Sequence, residues 1–112
     1  MDAARARQLL QEQRERIERE LAELRADRGD GELSSIDQHP ADSGSELFEL
    51  ERDRSMIDRL ELELEAIRRA ERRIEDGTYG VSVESGEPIP DGRLEIVPWA
   101  DRTAQEQSRH EA

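Results

Sequence analysis

Asp37, His39 and Asp42 are the residues of this 112-residue chain whose types and close spacing could do chemistry. They sit in the stretch Leu33-Ser-Ser-Ile-Asp-Gln-His-Pro-Ala-Asp-Ser-Gly-Ser-Glu-Leu-Phe48. Carboxylates on an exposed polar turn can approach a metal-containing or basic groove in a partner. Two aspartates in a serine-rich loop are a poor match for a pair converging on one bound metal. Nucleophilic catalysis has no support: there is no cysteine, His39 and His110 are far apart, and no glycine-rich phosphate loop occurs. The chemistry on offer is therefore charge delivered to something else.

Delivery requires a scaffold, and the flanking segments supply one. Pro40 and Gly44 interrupt two long, charged segments that contain no proline. A short polar connection between two such helices makes an antiparallel helical hairpin, with the connection at its tip. The first segment, Asp2 to about Arg28, is built from strong helix formers. Leu10, Ile17, Leu21 and Leu24 recur at heptad-like spacing once Arg14 is counted among them. Gly29 and Gly31 can end it. The second runs to Asp76, with Ser43 or Ser45 as its cap and Glu46 and Glu49 near its positive end. Leu50, Ile57, Leu60, Leu64, Ile67 and Ile74 form its stripe, with Leu47 and Asp53 roughly in step. Some thirty residues of helix would span roughly 45 Å.

The composition fits this reading. Hydrophobic residues make up 33% of the chain, aromatics 3% and charged residues 41%. That suits long helices sharing a narrow seam better than a broad core. The formal net charge of −12 makes nucleic acid a poor direct partner, since phosphate binding is driven by basic side chains. No apolar run reaches membrane-spanning length and no apolar signal core follows Met1, so a cytoplasmic location is expected.

After Gly77 the character changes. Val81–Val83 and Leu94–Val97 are short alternating runs separated by Gly, Pro and Asp, which predicts a two-stranded unit. Asp101 could cap a last helix reaching about Ser108. Tyr79, Ile89, Leu94, Val97 and Trp99 would supply most of a miniature core. The expected fold is mainly α: a coiled-coil hairpin over residues 1–76 with a tip loop at about 29–44, then a small β-hairpin/helix globule over 77–112.

Three places together resemble the DksA/TraR family of bacterial RNA polymerase regulators. They are Ile74-Glu-Asp-Gly-Thr-Tyr-Gly80, Gly86-Glu-Pro-Ile-Pro-Asp-Gly-Arg-Leu-Glu-Ile-Val-Pro-Trp-Ala100, and Leu33 to Asp42 with Glu46-Leu-Phe48. The second is close to the family's zinc-finger signature, and the third looks like the tip of its Gram-positive branch. Aligned through Tyr79-Gly80 and Trp99-Ala100, the family's four zinc cysteines fall on Ser82, Ser85, Thr103 and Glu106. Neutral hydroxyls do not replace thiolates on Zn²⁺, and one carboxylate cannot hold it alone. The resemblance thus implies a zinc-finger-like globule in a zinc-less variant, closed by apolar contacts and by hydrogen bonds from the serines, with no cofactor expected.

The resemblance further implies a regulator that inserts its acidic coiled-coil tip through the secondary channel of RNA polymerase toward the catalytic Mg²⁺, and no enzymatic activity. Of the family's two tip aspartates, the second falls on Asp42 and the first on His39, with Asp37 near enough in sequence to compensate. Arg52 and Arg54 could contact acidic channel walls, or pair with Glu49, Glu51 or Asp58. Arg93 and Arg102 lie near enough to the globule to suggest a guanosine tetraphosphate alarmone, which nothing else in the sequence supports. A monomer is expected, with pairing to a second copy left open. The competing functions are a coiled-coil adaptor or dimerisation module that no longer binds polymerase and, behind it, a transcript-cleavage factor using paired tip acids.

Overall fold

The computed structural model describes residues 1–27 and 43–111. Its helices are α1 (Ala3–Asp27), α2 (Ser43–Asp76), α3 (Asp91–Ile96) and α4 (Ala104–Glu111). These residues fall into two compact units, Met1–Glu15 with Leu64–Ala112, and Arg16–Glu63. The chain is mainly helical, as its composition and periodicity predict.

In the unit Arg16–Glu63, Ile17 and Leu21 of α1 and Leu60 of α2 are buried. Arg16 pairs with Glu63 at 4.0 Å and Arg25 with Glu61. A step forward along α1 is met by a step back along α2, so the two segments are antiparallel here. Exposed pairs of this kind contribute only about 0–1 kcal/mol each. Their value is in opposing a slip of one helix past the other.

The other unit buries Ala6, Leu9 and Leu10 of α1 with Leu64, Ile67, Ala70 and Ile74 of α2. The leucines and isoleucines follow the helical spacing that puts one stripe on one face. Ala6 and Ala70 add small side chains to it, and small contacts let helix axes approach closely. Arg14 belongs to this seam, and its guanidinium donates to Glu71. Leu24, Leu50 and Ile57 are only half-buried, and Leu47 is exposed.

Gly77 stops α2, at a positive φ of 79° that suits a residue without a Cβ. The N–H groups of Thr78 and Tyr79 then turn back onto the carbonyl of Arg73, at 2.9 and 3.2 Å, which satisfies a helix end that would otherwise lack partners. The Arg73 guanidinium donates to the carbonyls of Thr78 and Val81. Its charge also complements the negative end of the helix.

Beyond this turn the expected β-hairpin does not form. Among the described residues there is an isolated bridge, Val81 with Pro88, and no strand. Ser82 N–H donates to the Glu87 carbonyl and Ile89 N–H to the Gly80 carbonyl, each at 2.8 Å. Pro88 and Pro90 have no N–H to extend that ladder. The predicted second strand is instead α3, entered from Pro90 at φ −57° and ψ 143°. Leu94 is buried and Ile96 is 79% exposed, an alternation that looks like a strand. Residues two apart on a helix also point about 200° apart, so so short a run cannot separate the two periods.

The core of this segment is Ile89, Leu94 and Ala100, with Met1, Tyr79 and Val97 packed against it. The Tyr79 hydroxyl donates to the Pro98 carbonyl at 2.8 Å. Burial pushes its pKa up to about 12, so it remains the neutral donor that this contact needs. Trp99, expected in the core, is only half-buried and lines a groove. Ala100 takes the core position beside it.

The seam should govern stability. Ile67→Ala removes a fully buried side chain and is expected to cost about 2–5 kcal/mol. Leu62→Ala, at a residue 65% exposed, should stay within about 0.5 kcal/mol. Urea unfolding of the two variants beside the parent protein, with the slopes compared, checks both.

Candidate functional site

Ser82, Ser85, Thr103 and Glu106, distant in sequence, come together. Glu106 lies in the first turn of α4 and is only 5% exposed, and Ser82 is 4% exposed. The Ser82 hydroxyl donates to Glu106 Oε1 at 2.6 Å. The backbone N–H of Thr103 donates to the same oxygen at 2.8 Å. In return Thr103 Oγ1 accepts the backbone N–H of Glu106 at 3.2 Å. Thr103-Ala-Gln-Glu106 is thus a reciprocal capping box, in which cap and third helical residue satisfy each other's N–H groups.

The cap is therefore Thr103 and not Asp101. Asp101 is engaged through its carbonyl, which accepts Val83 N–H at 2.9 Å, and through Arg102, 3.4 Å from its carboxylate. The T-x-x-E pattern was open to sequence reading and is the signal that would have found this start. Negative charge in the first turn of α4 also suits the helix dipole. The hydroxyls of Ser82 and Ser85 and the N–H of Thr103, in that order, hold the Glu106 carboxyl at about 2, far below the ordinary 4.5.

This donor set does not fit the zinc ion that the family pattern implies. Three of the four groups are neutral hydroxyl side chains, and the single carboxylate is already hydrogen-bonded. Ser82 Oγ accepts the N–H groups of Glu84 and Ser85, at 3.0 and 3.2 Å, so its lone pairs are engaged as well. Among the described residues, no group of three or more His, Cys, Asp or Glu side chains gathers to hold a metal.

Asp37, His39 and Asp42 lie outside the described residues. Arg52 and Arg54 are exposed on α2, and no ion pair joins either to Glu49, Glu51 or Asp58 among the described residues. Arg93 and Arg102 line an open groove of about 650 Å³ with Arg69, Trp99 and His110. Arg93 Nε donates to the Arg102 carbonyl at 3.0 Å, and the Arg102 side chain lies 3.5 Å from Glu84. No helix among the described residues is long and apolar enough to cross a membrane.

Helical pairing, the Gly77 turn and the small segment behind it define a class of protein that comparison with known chains makes explicit. The chain is 35% identical over 106 residues to the RNA polymerase-binding transcription factor DksA of Caulobacter vibrioides, covering 93% of this chain and 66% of that one. It is 44% identical over 81 residues to general stress protein 16O of Bacillus subtilis, and 40% over 79 residues to the uncharacterized protein YteA of the same organism. Each of those alignments takes in 70% of this chain, but 48% and 33% of the respective relatives, so the chain matches between a third and a half of their length. The solved structure of transcription factor DksA2 from Pseudomonas aeruginosa superposes with a TM-score of 0.57 at 28% identity, covering 99% of this chain and 90% of that one. No family model matches. The chain belongs to the DksA/TraR-like family.

The carboxylate cluster has a testable acid limit. Its folded pKa of about 2 lies below the ordinary 4.5, so the charged form favours the folded state. That contribution is fully present above about pH 4.5 and is lost progressively as pH falls toward about 2. Carbon-detected NMR titration of the Glu106 carboxyl should show no protonation step between pH 6 and roughly 3. A step near 4.5 would mean that the cluster does not hold the carboxylate.

Proposed function

We propose that this chain is a transcription regulator that binds bacterial RNA polymerase through the secondary channel, with no catalytic activity of its own. The observation that carries the reading is the alignment over 93% of the chain with a relative named as an RNA polymerase-binding transcription factor. The segment between α1 and α2, which contains Asp37, His39 and Asp42, is proposed to approach the active-site Mg²⁺. Carboxylates in a confined, weakly screened site perturb a metal and its basic neighbours more than the same charges do in open solvent. Asp42 is the leading residue, with Asp37 and His39 beside it. Arg52 and Arg54, exposed on α2, are available to acidic walls of such a channel.

The protein is proposed to do this without zinc, because the positions that would hold the ion carry donors that do not suit it. Its acidity argues that polymerase, and not nucleic acid, is the direct partner.

The experiment is open-complex lifetime on a ribosomal-type promoter with the host polymerase, comparing the parent protein with Asp42→Asn. The parent should change the lifetime, and the variant should compete for polymerase while leaving the lifetime at its protein-free value. Equal action by both would remove Asp42 from the mechanism. Failure of either to bind polymerase would leave the adaptor reading.

A further inference from the structure

We propose that the Glu106 carboxylate is the cross-link that closes the C-terminal segment, an anion ringed by hydrogen-bond donors at the place where a metal-holding site would put a cation ringed by electron-pair donors. This link holds the segment together whether or not the chain binds polymerase.

The hydroxyl of Ser82 is the donor that joins the two parts. A serine hydroxyl has one proton and two lone pairs. Both acceptor directions are occupied, by the N–H groups of Glu84 and Ser85. The proton is left to point outward, and it meets Glu106 Oε1 at 2.6 Å, 24 residues further along the chain. The turn at residues 82–85 therefore presents a fixed donor to the first turn of α4. The Thr103 N–H reaches the same oxygen at 2.8 Å. Hydrogen bonds to an ionised acceptor are the stronger kind, and both groups here are buried. The hydroxyl of Ser82 and the amide of Thr103 have turned their protons to the carboxylate, so neither offers a free lone pair to a metal ion.

The competing explanation is local. Glu106 could serve only the capping box of α4, which needs Thr103 and neither serine. The two readings part on whether a change in one segment is felt in the other. Ser82→Ala, Glu106→Gln and the double variant, made in the full chain, are compared by amide hydrogen exchange at neutral pH. Buried seam amides of Leu10 and Ile67 serve as an internal reference. Gln also satisfies a capping box, so Glu106→Gln keeps the local cap and weakens the charge-assisted contact.

If Glu106 is the cross-link, Ser82→Ala accelerates exchange at Glu106 and Gln107 as well as at Ser85. Glu106→Gln reaches Glu84 and Ser85, each by about tenfold to a hundredfold, the size ordinary for losing a hydrogen bond to a charged group. The double variant should then be little faster than the more affected single one, since both remove the same contact. Effects confined to each variant's own segment, present side by side and unchanged in the double, would overturn the proposal. Should the double variant lose α4 altogether, the spread seen in the single variants decides. Zinc chloride or EDTA added to the parent protein should leave these rates unchanged. A stoichiometric zinc whose removal by EDTA accelerates them would also overturn it.

Discussion

Apolar side chains are scarce in this chain, and each of its two units depends on burying them where its two helix segments meet. Leu10 with Leu64, Ile67 and Ile74 do so in one, and Ile17 and Leu21 with Leu60 in the other. Burying a Leu or Ile side chain contributes roughly 1.5–3 kcal/mol, so a handful of them dominates what surface ion pairs can add. A stripe this narrow says little about how far one helix may slide along the other. Arg14 with Glu71, Arg16 with Glu63 and Arg25 with Glu61 supply that information at its margins. Charge sets register and apolar burial sets stability.

In the small segment after α2 the same scarcity is met differently. Three buried residues, Ile89, Leu94 and Ala100, form its core, and that is too little to fix a chain of this length by packing alone. Directional polar contacts take over. Arg73 and the Gly77 turn join the end of α2 to residues 78–81, and Tyr79 reaches the Pro98 carbonyl. The Ser82 hydroxyl then joins the next turn to α4 through Glu106. Each contact spans a loop, so each must offset the entropy of ordering that loop.

The long helices were legible in the sequence because a 3.6-residue period repeated over many turns is a strong signal. Most of the seam followed from it. Ala6, Leu9 and Ala70 did not, because alanine carries no hydrophobic emphasis and Leu9 adjoins Leu10 in a pattern that assigns one of the two outward. The family membership was legible from three short motifs and the distance between them. The segment after Gly77 carries a weaker signal. Runs of three or four residues cannot distinguish strand from helix, and Pro88 and Pro90 count against a ladder more heavily than Val81 and Val83 count for one. The shortage of aromatics argues for Trp99 in the core, whereas the smaller Ala100 occupies that place. Asp37, His39 and Asp42 fall outside the described residues, so the sequence alone speaks for them.

Glu106 shows how positions that the family pattern gives to metal ligands can be joined by other chemistry. Viewed as a metal ligand, it is the lone carboxylate among three hydroxyls and is inadequate. Viewed as an acceptor, its carboxyl is the group on which the others converge. What the segment requires from these positions is a bond between the 82–85 turn and the start of α4, and an ion or a carboxylate can each supply one. The turn contributes by presenting backbone N–H groups to the side chain at position 82, which a hydroxyl oxygen accepts here and which a sulfur could also accept, more weakly. A hydroxyl at position 82 thus keeps the turn's own hydrogen bonds and leaves a donor at its centre. A lone glutamate in the first turn of α4, already favoured there by the helix dipole and the capping box, is well placed to fill that centre.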